Sequence, residues 1–73
     1  MVSDLELNTP YSCKDGIVRF LIIKIKIGRG YSVYWDTVPL DDNYWADREG
    51  IKKRVKEGLC GYMPLGKLIK ILI

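Results

Sequence analysis

The 73-residue sequence contains no histidine and no glutamine, and cysteine and proline are scarce. Histidine most often serves as the base beside a catalytic nucleophile, so its absence excludes the usual triads and dyads. Cys13 and Cys60 lie far apart, form no CxxC pair and have no histidine with which to complete a zinc tetrad. We therefore expect no metal, no cofactor and no disulfide, and we predict that both cysteines are structural.

Long hydrophobic runs are also missing. The longest apolar stretch, residues 17–27, is interrupted by three basic side chains and is shorter than the roughly 20 residues that a membrane-spanning helix needs. Residues 1–10 include Asp4 and Glu6 and lack the basic start and apolar run of a secretory signal. These absences predict a cytoplasmic protein with no membrane partner. The lack of glutamine beside abundant lysine and isoleucine favours a thermophilic source.

The composition is that of a folded domain. Hydrophobic residues make up 48% of the chain and charged residues 29%, whereas disordered segments combine low hydrophobicity with high net charge. A chain of this length forms one domain, and its core rarely contributes more than about 3–5 kcal/mol by itself. Because small natural domains often gain stability from a second copy, we expect a homo-oligomer.

The clearest secondary-structure signal begins at Gly16. Residues 17–27 are rich in β-branched side chains, and residues 23–27 alternate strictly between isoleucine and lysine, which predicts a strand with one buried face. The glycines at positions 28 and 30 predict a tight hairpin turn, followed by a second strand over residues 31–38 that Pro39 ends. Residues 1–15 show no sustained period. We predict an N-terminal arm over 1–15 and one domain over 16–73.

The second half of the chain predicts a short third strand around residues 43–45, one helix, and a final strand over residues 67–73. Asp47 is placed to cap the helix, and Pro64 prevents the helix from continuing. Apolar residues recur at helical spacing over about three turns: Ile51, Val55 and Leu59. The predicted fold class is α+β, a small β-β-β-α-β domain in which one helix covers an antiparallel sheet.

Strict alternation along the first strand predicts apolar side chains on both faces of the sheet. One face receives Val18, Phe20 and Ile22, and the other receives Leu21, Ile23, Ile25 and Ile27. One short helix cannot cover all of these side chains. Excess apolar surface of this kind marks an interface with another molecule.

No residue pattern in the chain is typical of a catalytic site. Residues 28–30 form a hairpin turn rather than a phosphate loop, because no helix begins there. A group of carboxylates could hold Mg²⁺ for phosphoryl chemistry: Asp36, Asp41, Asp42 and Asp47. Turn and cap roles account for most of this group. We predict that the protein is not an enzyme.

Charge is distributed in blocks along the chain. Residues 16–30 carry four basic side chains and no acid, whereas residues 31–50 carry five acids and one arginine. The acidic block also holds aromatic side chains, which are effective anchors in protein interfaces. We predict a partner-binding surface made of Tyr34, Trp35, Asp36, Asp41, Asp42, Tyr44 and Trp45. The alternative is that the two tryptophans belong to the core.

The basic blocks support a second interpretation, in which the chain binds nucleic acid. The side chains that would carry this function lie on the hairpin and on the helix: Lys24, Lys26, Arg29, Lys52, Lys53, Arg54 and Lys56. A lysine-rich helix face in contact with solvent explains the helix residues equally well.

The sequence over residues 17–73 resembles the HicB antitoxin family. Residues 30–34, Gly-Tyr-Ser-Val-Tyr, match the family's glycine-aromatic strand, and Pro39 falls at its turn proline. Residues 48–59 fall on the family's helix. Residues 61–64 and the lysine/isoleucine segment after them match its C-terminal end.

The resemblance implies a partial ribonuclease-H-like sheet with one helix and no catalytic residues. It also implies a partner, because family members bind a small basic HicA-type toxin that cleaves mRNA and cover its active site. The sequence departs from the family at Leu40 and Asp41, where the family has glycine and cysteine. We expect a HicB-like antitoxin or a stand-alone relative. A small nucleic-acid-binding protein and a virus-encoded inhibitor protein are the alternatives.

Overall fold

The computed structural model describes residues 5–73 of the chain. These residues form a four-stranded antiparallel sheet with one helix packed against each face. The strands follow one another across the sheet in chain order: β1 (Pro10–Ser12), β2 (Val18–Ile27), β3 (Gly30–Asp36) and β4 (Cys60–Pro64). A 3₁₀ turn at Tyr44–Ala46 and helix α1 (Arg48–Lys56) connect β3 to β4, and helix α2 (Leu65–Ile71) follows β4. The α+β class is as predicted.

The predicted hairpin is confirmed. Strands β2 and β3 are joined by a two-residue turn at Gly28 and Arg29, and Gly28 adopts a φ of +58°, which glycine reaches without a steric penalty. Strand β3 ends at Asp36 rather than at residue 38. The Asp36 carboxylate accepts the backbone N–H of Val38 at 3.1 Å, which turns the chain away from the ladder.

A β-bulge in β2 changes which side chains share a face. The register shifts between Leu21 and Ile23, so Ile22 is an extra residue that reverses the alternation. One face of β2 consequently carries Val18, Phe20, Ile22, Ile23, Ile25 and Ile27. The opposite face carries Arg19, Leu21, Lys24 and Lys26. The predicted division is confirmed before the bulge, where Ile22 lies opposite Leu21. It was wrong for Ile23, Ile25 and Ile27, which share the face of Ile22.

The two faces of the sheet each have a core and a covering helix. The face on which α2 packs, the α2 face, has a core built of Cys13, Leu21, Val33, Trp35, Met63 and Leu68. The other face, the α1 face, has a smaller core of Ile22, Tyr34 and Cys60, against which Ile51 of α1 packs. The prediction of a single covering helix was wrong, because a second helix, α2, covers the apolar side chains on the other face of the sheet.

The predicted final strand over residues 67–73 is instead mostly helix α2. Leu65, Leu68 and Leu72 recur at spacings of three and four residues, and all three pack into the α2-face core. The last strand lies earlier, at β4, and Pro64 is the residue at which the strand gives way to the helix. The run of isoleucine and leucine over residues 67–73 was a misleading signal, because packing on the α2 face selects the helical period.

The predicted third strand around residues 43–45 is a 3₁₀ turn. The backbone N–H of Asn43 donates to the Asp41 carboxylate at 2.8 Å, a local bond that favours a turn over a ladder. The helix cap is confirmed, since Asp47 accepts the Gly50 N–H at 2.8 Å. Helix α1 is shorter than three turns and stops at Lys56, and Gly58 follows it with a φ of +77°.

Part of the segment predicted as an N-terminal arm belongs to the sheet. Strand β1 pairs with residues 18–20 of β2, and Cys13 is buried in the α2-face core. Asp15 forms a two-bond ion pair with Arg19 at 2.8 and 3.0 Å, and the guanidinium lies 4.4 Å from the centre of the Trp35 ring. Residues 1–4 lie outside the described residues.

Replacing Gly66 with alanine is expected to stabilise the fold by about 0.5–1 kcal/mol. Gly66 lies in the first turn of α2, where an added methyl group would meet no atom within 4 Å. Gly50 in α1 is the matched control, because a methyl group there would overlap the Asp47 carboxylate. Urea unfolding of both variants checks the assignment. A Gly66→Ala variant less stable than the parent would contradict a helix at this position.

Candidate protein-binding surface

An ion pair between a buried aspartate and a partly exposed arginine connects the end of β3 to helix α1. Asp36 is fully buried, and its two carboxylate oxygens accept hydrogen bonds from Arg54, at 3.0 Å from Nε and 2.5 Å from the second guanidinium nitrogen. The same Arg54 nitrogen donates to the Thr37 hydroxyl at 3.1 Å. Bidentate geometry of this kind fixes both partners. The pair therefore sets the position of α1 relative to the sheet.

A line of hydroxyl groups extends the ion pair into the α1-face core. The Tyr44 hydroxyl donates to the Asp36 carboxylate at 2.5 Å and lies 2.9 Å from the Tyr34 hydroxyl. The Tyr34 hydroxyl in turn lies 3.1 Å from the Cys60 sulfur. These bonds join the 3₁₀ turn, β3 and β4. We refer to Asp36, Arg54, Tyr44, Tyr34 and Cys60 as the polar network.

The polar network holds one protonation state at neutral pH. Burial alone raises the pKa of Asp36, but hydrogen bonds from Arg54, Tyr44 and the Val38 N–H outweigh it, so the pKa lies below its ordinary value. Burial raises the pKa of Tyr34 to about 12 and, together with the Asp36 carboxylate, raises the pKa of Tyr44 as well. Asp36 is therefore ionised and both tyrosines are protonated, an arrangement that fixes a loop.

Stability is expected to fall at low pH because of this depressed pKa. The unfolded chain has the ordinary aspartate pKa of about 3.9, so it binds the proton first as the pH falls. The contribution of Asp36 is present above about pH 4 and is lost as the pH falls through its folded-state pKa. Asp15, paired with Arg19, acts in the same direction. Urea unfolding at about pH 7 and about pH 3 checks this, and equal stability at both would contradict it.

Residues 37–47, held by the polar network, form an exposed acidic loop. Asp41, Asp42 and Asp47 all lie on the surface, and an open cavity of about 330 Å³ separates this loop from α1. Asp41 and Asp47 line the cavity together with Arg54 and the apolar side chains of Val38 and Ile51. We refer to residues 37–47 as the acidic loop. It presents carboxylates beside apolar groups on a fixed framework.

Exposed aromatic side chains lie within the acidic loop and next to it. Trp45 is 45% exposed, and its ring lies 5.1 Å from that of Tyr34 and 4.9 Å from that of Tyr44. Tyr62 of β4 is 61% exposed and lies 4.7 Å from Tyr34 on the other side. Edge and tilted ring contacts of this kind hold surface aromatic groups in place.

The uncovered end of the α1 face continues from these rings. Tyr34 is paired with Ile23 and Tyr62 across the sheet, and the next row toward the hairpin turn brings Ile25 beside Ser32 and Pro64. Ile25 and Ile27 are exposed further along the same face. We refer to Trp45 and Tyr62, which both contact the Tyr34 ring, as the aromatic patch. A contiguous apolar group of this kind is typical of a binding surface.

The structure divides the predicted partner-binding residues into two sets. Tyr34, Trp35 and Asp36 are buried, so they lie behind the surface rather than on it. Trp35 also faces α2, away from the acidic loop. The surface set is Asp41, Asp42, Tyr44 and Trp45, with Tyr44 only partly exposed. The core alternative raised for the tryptophans holds for Trp35 and not for Trp45.

The basic residues of the alternative interpretation are divided between the two sides of the sheet. Lys24 and Lys26 lie on the α2 face, whereas Lys52, Lys53 and Lys56 belong to helix α1 on the other side. Arg29 lies in the hairpin turn, and Arg54 is bound to Asp36. These side chains do not form one surface.

Tyr62 was not among the residues predicted from the sequence, although it is more exposed than Trp45. Had β4 been recognised in residues 60–64, period-2 alternation would have placed Tyr62 on the face of Cys60 and hence beside Tyr34. The last strand was predicted at residues 67–73 instead, so the alternation over residues 60–64 was not used.

Over residues 5–73, no group of three or more cysteine, aspartate or glutamate side chains is placed to hold a metal ion. Within the same range, no helix is long and apolar enough to span a bilayer. Comparisons of the chain with family models, curated proteins and solved structures find no match.

Proposed function

We propose that this chain is a non-catalytic protein-binding domain that presents the acidic loop and the aromatic patch to a basic partner. The observation that carries the proposal is the position of Trp45, which is 45% exposed and yet in contact with the rings of both Tyr34 and Tyr44. A surface aromatic group already held in place loses little conformational entropy when a partner covers it.

Charge supports a basic partner. Asp41, Asp42 and Asp47 are all exposed within a few residues of Trp45, and the neighbouring Asp36 is neutralised by Arg54. Complementary charge around an apolar anchor speeds association and selects against acidic partners. The arrangement combines an apolar centre with a charged rim, as protein interfaces commonly do.

Within this proposal the chain is a HicB-like antitoxin, and its partner is a small basic toxin of the HicA type. The hairpin β2–β3, the proline turn and α1 follow one another in the order that the resemblance implies, and this order supports the relation. The lysine/isoleucine segment departs from the resemblance, because it forms helix α2 instead of a strand. The acidic loop would occlude the cationic surface on which such a toxin holds RNA. We also propose that the free chain self-associates through the aromatic patch.

Co-expression with the product of an adjacent reading frame tests the proposal. The account expects a neighbouring frame that encodes a short basic protein with a histidine, and it expects the two proteins to co-purify. Size-exclusion chromatography gives the stoichiometry. The absence of such a frame, or elution of the two proteins apart, would contradict the antitoxin function. Salt-sensitive binding of RNA or DNA by the chain alone would favour the nucleic-acid alternative.

Asp42→Lys is expected to weaken the complex about tenfold or more, because a lysine at this position would repel a basic partner. The Asp42 side chain is exposed, so the fold should tolerate the change. Adding Asp41→Asn removes a second charge and keeps an oxygen that accepts the Asn43 N–H. Glu57→Lys, the same charge change at the far end of α1, is the matched control and should alter affinity little. Equal effects of the two lysine substitutions would point to net charge rather than to this surface.

A further inference from the structure

The outer edge of β2 is open over its last residues. Strand β1 pairs only with residues 18–20, and the Asn8 N–H donates to the Leu21 carbonyl at 3.0 Å. Beyond that point, none of residues 5–73 forms a strand beside residues 23–27, and residues 24–27 are exposed. The open edge is about 17 Å long, from a rise of about 3.4 Å per residue. Strand edges of this length are templates for added strands.

The side chains along this edge indicate which kind of strand could pair with it. Ile23, Ile25 and Ile27 lie on the α1 face, and Lys24 and Lys26 lie on the α2 face. Directly opposed residues in an antiparallel pair share a face, so an added strand places one set of its side chains against isoleucine and the other against lysine. Alternating apolar and acidic residues satisfy both faces.

A second copy of the same edge fits less well. Antiparallel pairing of two β2 edges about Ile25 would place Lys24 of one copy opposite Lys26 of the other, and like charges directly opposed destabilise a sheet. Lysines on an edge strand are a common protection against this kind of self-pairing. The exposed Lys26 attracts an acidic strand, so the edge discriminates between the two occupants.

We propose that residues 23–27 of β2 form a docking site for an extended partner segment in which acidic residues alternate with apolar ones. The segment adds to the sheet as a fifth strand beside β2. Backbone hydrogen bonds provide affinity, and Lys26 and the isoleucines select the sequence. This site is separate from the acidic loop and does not depend on the proposed function.

A synthetic peptide that alternates valine and glutamate is the probe. The full chain is expected to bind it, and backbone amides within residues 23–27 should become protected from hydrogen exchange. A peptide that alternates valine and lysine should bind more weakly. Lys26→Glu should lower affinity for the glutamate peptide on the order of 3–10-fold and raise affinity for the lysine peptide.

Three results would overturn the proposal. The first is failure of the glutamate peptide to bind. The second is an unchanged preference for the glutamate peptide over the lysine peptide in Lys26→Glu, and the third is protection of the outward amides of residues 23–27 in the free monomer. The Asp42→Lys variant serves as the control, because it alters the acidic loop and should bind the peptide as the parent does. Failure at the edge is thereby distinguished from failure of the basic-partner proposal.

Discussion

Asp36→Ala is expected to leave about half of the molecules unfolded at about 25 °C. The substitution removes the acceptor of two Arg54 bonds, of the Tyr44 hydroxyl and of the Val38 N–H. Deleting one partner of a buried ion pair costs about 3–5 kcal/mol, and the 29% exposure of the Arg54 side chain places the loss toward the lower end of that range. That loss is comparable to the whole stabilisation, about 3–5 kcal/mol, that a core of this size usually supplies.

Urea unfolding followed by far-UV circular dichroism measures this effect. Asp42→Ala is the matched control, because it deletes an exposed aspartate and should change the free energy of unfolding by less than about 0.5 kcal/mol. Tyr44→Phe deletes one bond of the polar network and should fall between the two variants. An Asp36→Ala chain as stable as the Asp42→Ala chain would show that the network does not hold the fold together.

Trp45→Ala is expected to weaken binding of the basic partner by about 2 kcal/mol or more, roughly 30-fold. Trp45 is an exposed aromatic side chain within the acidic loop, and its contacts with Tyr34 and Tyr44 position it before any partner arrives. Loss of its ring contacts should cost about 1 kcal/mol of folding stability. The expected effect on binding therefore exceeds the effect on folding.

Tyr31→Ala is the control for this substitution. Tyr31 is also 45% exposed, but it lies on the α2 face, where Lys24 approaches its ring at 5.7 Å. Isothermal titration calorimetry of the parent and both variants separates the two surfaces. A larger loss of affinity in Tyr31→Ala than in Trp45→Ala would indicate that the binding surface lies on the α2 face.

Local signals in the sequence were sufficient for the hairpin and for the start of α1. Alternation over residues 23–27 and the glycines of the turn act over a few residues, and so does the cap at Asp47. The bulge at Ile22 was not predictable in this way. It depends on how β2 meets β3, and it decides the face of every later side chain in the strand.

The C-terminal segment shows a conflict between two periods in one sequence. Residues 67–73 are rich in isoleucine, which favours a strand, whereas Leu65, Leu68 and Leu72 follow the helical spacing. Contact with Val33 and Met63 on the α2 face favours the helix, and this contact is not visible in the sequence.

The polar network is the part of the site that sequence reasoning could not assemble. Asp36 was placed among partner-binding residues and Arg54 among nucleic-acid-binding residues, yet the two form one ion pair across a separation of 18 residues. Only the three-dimensional arrangement shows that they support the acidic loop from behind. Their burial changes the role of Asp36 from a surface contact to a structural one.

Hydrogen exchange of the chain with and without its co-purified basic partner tests the central claim most directly. The account predicts new protection at backbone amides of residues 41–47 and around Tyr62, where the acidic loop and the aromatic patch meet. Amides beside Lys24 and Lys26 should keep their exchange rates. Protection confined to the α2 face, with the acidic loop unchanged, would contradict the account.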